Sequence, residues 1–226
     1  MQQLSENQGY HVISSCLRYV QLRSAGLPAL AAFKDTLGGY RTQLTTDWNA
    51  YQDVQEQRIA LSGEVGYLDS EVDNLVITIG QMLLMQVGRD RKAPAYRRLF
   101  PESPSSLVVE LAGPRQEKNV SVLLETIRTE EAYAPLRVKA AELEAAMTAL
   151  KQAVSRRADL YAQEASARAR YLMTADAARR AYNSLYHQFM LALPDKKRLV
   201  ESLFHPLNRA GASDPASLGS DTPVEE

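Results

Sequence analysis

Residues that most often carry chemistry are scarce in this chain. A single cysteine, Cys16, excludes an intrachain disulfide; its apolar surroundings in sequence mark it as a small core hydrophobe. Three histidines, His11, His187 and His205, leave little material for a metal centre. Helical bundles that hold two irons carry Glu-x-x-His pairs on facing helices. The residues three positions before the histidines here are Gln8, Ser184 and Ser202, so no such pair exists. Glu201 and His205 lie one turn apart, but two ligands do not make a site. Glycine-rich phosphate loops and the G-x-S-x-G elbow are missing. No catalytic residue, metal ligand or cofactor is assigned, and an enzyme is not expected.

An excess of either charge is missing too. The formal net charge is −1, whereas nucleic-acid-binding domains are usually clearly basic, so no nucleic-acid partner is expected. Long hydrophobic runs are absent. The longest charge-free apolar stretch, Leu75 to Val87, falls short of the roughly 20 residues a membrane-spanning helix needs. The opening MQQLSENQGY has neither a basic nor an apolar stretch, so no signal peptide is expected and a cytoplasmic protein is.

Helix-forming sequence is abundant. No glycine or proline interrupts the stretch between Pro135 and Pro194, which is rich in Ala, Leu, Glu, Lys, Arg and Gln. Proline suits a helix start and disfavours helical geometry in the residue before it, so the spacing predicts a long helix over 135–193. Its inward stripe reads Leu136, Leu143, Met147, Leu150, Val154, Tyr161, Ala165, Leu172, Tyr182, Leu185 and Phe189. The Ala-rich middle buries little area and is expected to be the weakest part.

A second long helix is predicted over 40–92. Its positions step by four and three from Tyr40 through Leu44, Asp47, Tyr51, Val54, Arg58, Leu61, Val65, Leu68, Val72, Leu75, Ile79 and Met82 to Gln86, a coiled-coil-like seam. Gly38-Gly39 reads as a break before it. Gly63 and Gly66 read as a place of close backbone approach or a mild kink. Shorter helices are expected over 10–37, 116–133 and just after Pro194. The apolar, proline-rich 93–115 segment should fold back over the widened apolar end of the 40–92 helix, with SLVVEL as a strand candidate lacking a partner. Residues 208–226 have the composition of a disordered acidic tail.

These readings give an all-α fold. We expect an elongated helical bundle built on an antiparallel pair of long coiled-coil-like helices with compact tips, one domain over 1–207 with 93–134 as connector. The two halves echo one another in plan, with PAYRRL at 94–99 answered by PDKKRL at 194–199 at an offset of 100, but the long helices are not expected to align without gaps.

Two groups of residues stand out as candidate sites. Arg89, Arg91, Lys92, Arg97 and Arg98, with Tyr96 among them, form the one cluster suited to a polyanion or a partner protein. Asp47 and Arg58 are polar positions in an apolar seam, where such residues more often set register than perform chemistry; an antiparallel partner brings Arg58 to Glu164. The function expected is a non-enzymatic scaffold or interaction bundle that pairs with itself or another helical protein. The alternatives are a membrane-active, pore-former-like protein using the apolar 75–111 region, although a membrane is disfavoured as a partner, and a bundle that binds a ligand or metal.

Overall fold

The structure, a computed structural model, describes residues 3–108 and 113–206. Among the described residues every regular element is helical. They are α1 (Tyr10–Ser24), α2 (Ala31–Gln86), α3 (Pro94–Leu99), α4 (Pro104–Val108), α5 (Pro114–Thr129), α6 (Arg137–Ala192) and α7 (Lys197–Ser202), with single 3-10 turns at Pro28–Leu30 and Glu131–Leu136 leading into the two long helices. The strand candidate is in part helical, because Ser106 to Val108 belong to α4; its remainder and the acidic tail lie outside the described residues.

The long helices are longer than average by several-fold, at 56 residues each. α2 begins at Ala31, not at Tyr40, and runs through Gly38 and Gly39 without a break. Two interior glycines cost about 1 kcal/mol each relative to alanine. Against that, Leu30, Leu37 and Leu44 recur every seven residues and are at most 1% exposed, and burying each leucine returns about 1.5–3 kcal/mol. The stripe therefore outweighs the breaker. Gly63 and Gly66 are also within the continuous helix, and a Cβ at either would meet nothing within 4 Å. They mark no close approach. Gly80 does, because a Cβ there would collide with the ring of Pro104.

α2 ends at Gln86 rather than at Lys92 for a reason visible in its last turn. Gly88 and Arg89 both adopt positive φ, 68° and 65°. The Arg89 amide donates to the Leu84 carbonyl at 2.7 Å and the Gly88 amide to Met85 at 3.2 Å. That paired pattern is the Schellman motif, in which a glycine turns the chain away while satisfying carbonyls the helix leaves unpaired.

Contacts divide the chain into two compact units, one from Met1–Asn49 with Arg168–Glu226 and one from Ala50–Ala167. In the first, α1 and α7 pack on the start of α2 and the end of α6. Phe33 meets Phe189 at 5.1 Å between ring centroids, Phe204 of the α7 region stacks near Tyr182 and Phe189 at 5.6 and 5.8 Å, and Asp47 reaches Thr174. In the second, α3 and α5 pack on the end of α2 and the start of α6, around Val76, Ile79, Leu83, Tyr96, Phe100, Leu123, Ile127 and Leu143. Here Arg58 pairs with Glu164 and Glu64 with Arg156. In each unit the α6 number falls as the α2 number rises, so the pairing is antiparallel, as expected. The 93–107 segment does cover the apolar end of α2, through Tyr96, Leu99, Phe100 and Leu107.

The inward stripe read for the middle of α6 needs correction. Tyr161 is 54% and Leu172 50% exposed, and the buried positions are Ala153, Ala167, Tyr171, Ala175 and Ala178. The seam keeps its four-and-three stepping through small residues, and the larger side chains fall beside it.

The two halves match more closely than the sequence echo implied. α1, α2 and α3 have 15, 56 and 6 residues, and α5, α6 and α7 have 16, 56 and 6. Leu30, Leu37, Leu44, Leu61, Val65, Val72, Val76, Ile79 and Leu83 are buried. So are the residues 106 positions later, Leu136, Leu143, Leu150, Ala167, Tyr171, Ala178, Tyr182, Leu185 and Phe189. Tyr96, Leu99 and Phe100 correspond likewise to Val200, Leu203 and Phe204, 104 positions later. Ile13, Leu17, Val20 and Ser24 correspond to Gln116, Val120, Leu123 and Ile127, 103 positions later. The long helices thus align without a gap. The echo at an offset of 100 is one helical turn away from the match in α3 and α7, because connecting segments of unequal length separate the matched helices.

Candidate functional site

The polar seam positions are the most structured of the sequence-derived candidates. In the second unit the Arg58 Nε donates to a Glu164 carboxylate oxygen, and the ion pair expected between them is present. Both side chains are about four-fifths buried, at 21% and 17% exposure. The Arg58 guanidinium also lies 5.0 Å from the centroid of the Tyr161 ring, a cation–π distance. The hydrogen bond to Glu164, assisted by that residue's charge, holds Arg58 above the ordinary arginine range. Close by, Arg156 reaches Glu64 at 2.5 Å, but both are well exposed, and such a pair contributes little.

Asp47 sits in the first unit. Its carboxylate accepts from the Thr174 hydroxyl at 2.6 Å and from the Gln43 amide at 3.1 Å. Next to it lies an aromatic group that seam reading missed. Trp48 stacks flat on Tyr10 of α1 at 5.2 Å and meets Tyr171 of α6 edge-on at 5.0 Å. One tryptophan beside a seam position is a weak signal, since Tyr10 and Tyr171 come to it only through packing.

The basic group behaves differently. Tyr96 is 4% exposed and packs inward with Phe100, so it is withdrawn from any polyanion surface. Arg98 donates to Glu130 at 2.7 Å. Arg89, Arg91, Lys92 and Arg97 remain exposed on the turn after α2 and on α3.

A second polar cluster was not legible in the sequence. Gln116, 1% exposed, stands on α5 where its counterpart in α1 is Ile13. Its amide donates to Asp69 at 2.7 Å and Asp73 at 3.3 Å, one turn apart on α2, while its carbonyl oxygen has no partner among the described residues. Burial, followed by the nearby Asp69 charge, pushes the Asp73 carboxyl above the ordinary carboxylate range, and the Gln116 hydrogen bond opposes this. In the first unit Cys16 is buried, and desolvation raises its thiol pKa, opposed by a hydrogen bond to Tyr182. Burial, chiefly, pushes the Tyr182 phenol far up as well.

Among the described residues no three of His, Cys, Asp and Glu converge in a way that suits a metal ion. Among them, too, no helix is long and apolar enough to cross a membrane. Val76, Ile79 and Leu83 of the longest apolar run are at most 1% exposed, and Met85 is its exposed large apolar side chain, at 65%. The concave features are open. A groove of about 480 Å³ between α2 and α6 of the second unit is lined by Gln57, Ala60, Leu61, Glu64, Arg156, Asp159, Leu160 and Gln163. Beside it in sequence, Ile59 and Tyr161 are 59% and 54% exposed. A groove in the first unit, lined by Thr36, Gly39, Tyr40, Gln43, Met173, Thr174 and Ala177, is more apolar. Neither lining gathers an acid, a base and a nucleophile. The chain matches no family model, no curated protein and no solved structure.

Proposed function

We propose that this protein is a non-enzymatic helical interaction module that works through the surfaces of its long helices, pairing with a second copy or another helical protein. The observation that carries the reading is the open α2–α6 groove of the second unit. Ala60, Leu61 and Leu160 contribute to its lining, and Ile59 and Tyr161, which adjoin Ala60 and Leu160 in sequence, are more than half exposed. Exposed apolar side chains beside an open groove suit a contact surface better than a catalytic one.

Light scattering at two concentrations tests the reading. The expected result is a mass that rises with concentration in the parent protein and stays at one chain in Ile59→Glu/Tyr161→Glu. Both positions are exposed, so the variant should keep the parent helix content by circular dichroism. A single-chain mass for the parent at both concentrations would overturn the self-association.

A further inference from the structure

We infer that Asp47 and Arg58 form a pairing code that makes the first half of the chain, α1 to α3, accept the second half, α5 to α7, and refuse a like half from another copy. The two halves bury corresponding positions, so apolar packing alone discriminates weakly between unlike and like pairing. If the first half met another first half, Val72, Ile79 and Leu83 would stand where Ala178, Leu185 and Phe189 stand, and these are buried apolar residues on both sides. Equivalent parts that can substitute for one another invite exchange between copies, a characteristic failure of repeated architectures.

Arg58 and Glu164 stand at a special place in this scheme. They touch each other, and they are also counterparts, 106 positions apart in helices that match at that offset. In a like pairing each residue would therefore face itself, Arg58 against Arg58 and Glu164 against Glu164. Both side chains are largely withdrawn from water, where like charges placed together are costly and screening is weak. Asp47 adds a second discriminator. Its partner Thr174 has Leu68 as its counterpart, so a like pairing would set a carboxylate against a leucine and remove the hydroxyl donor. Opposite charges at a self-facing position favour the unlike pair and penalise both like pairs, which is how charged seam positions choose partners in coiled coils. The inference goes beyond the surface association proposed above and does not depend on it.

The test uses full-length Arg58→Glu and Glu164→Arg, singly, together in one chain, and as a refolded equimolar mixture of the two single variants, one carrying a mass tag. Each single variant should melt at least about 4 °C below the parent, and the double variant should recover most of that loss. In the mixture an acidic and a basic side chain meet at this position whenever halves are exchanged between the two variants, so the mixed species relieves the like charges that each variant carries alone. The expected result is a mixed two-copy species in native mass spectrometry, together with a melting temperature restored toward the parent. If a single variant does not fold alone, folded protein recovered only from the mixture gives the same answer. Singles that melt like the parent, a double variant that stays low, or a mixture showing only the melts of its components would each overturn the code. A mixed species without a restored melt would reflect surface association alone and would also overturn it.

Discussion

Asp73 is the residue whose environment makes the most specific demand. It lies one turn from Asp69 beside a buried glutamine, and desolvation raises its pKa above the ordinary 3.8. A carboxyl with a raised folded pKa binds more protons in the native state than in the unfolded one. Stability therefore falls as pH rises from about the unfolded pKa through the folded one, and stays at the lower level above it. Asp73→Asn keeps an oxygen to accept from Gln116 and removes the charge. The variant should match the parent in urea denaturation near pH 3.5 and exceed it at pH 7. An equal difference at both pH values would show that the charge is not the cause. Asp69 and Asp73 are readable in the sequence as an i, i+4 acidic pair, but nothing local announces that Gln116 faces them. Cys16 and Arg58 were legible at this scale because each sits in phase with an apolar stripe. Tyr96 was misread because sequence neighbours among arginines suggested a surface, whereas its phase in α3 turns it inward.

The glycines separate two influences on a helix, intrinsic propensity and neighbouring packing. Gly63 and Gly66 are exposed within α2 with open space where a Cβ would be. Replacing both by alanine should stabilise the protein by about 0.5–1 kcal/mol per site, through reduced freedom of the unfolded chain. Gly80→Ala should do the opposite. It gains the same propensity, but the new methyl collides with a rigid proline ring on α4, and overpacking of this kind costs about 1–3 kcal/mol. Thermal melts of the three variants check both signs. The spacing in sequence pointed to close approach at Gly63 and Gly66; only the element packed alongside places it at Gly80. Gly38 and Gly39 make the same point from the other side, because turn propensity favoured a break there and the leucine spacing on one face prevailed.

For the whole molecule, the correspondence between halves predicts that counterpart core positions carry comparable weight. Leu37 and Leu143 are 1% and 0% exposed in different units. Leu37→Ala and Leu143→Ala should each cost about 2–5 kcal/mol in urea denaturation, whereas Val138→Ala, at a 73% exposed position, should stay within about 0.5 kcal/mol of the parent. A large cost at one leucine and a negligible one at the other would show that the matched positions are not equivalent. The sequence by itself determined that this chain is helical, that two helices are very long and run antiparallel, and that Arg58 meets Glu164. Those properties follow from periodicity, breakers and a shared seam, all of which are local or repeat along one line. The tertiary structure alone decided which helix of each half completes which unit, where Gln116 and Trp48 find their partners, and that the halves match at 106 rather than 100. Such facts depend on which surfaces meet across a hundred residues of chain, and packing rather than local preference selects them.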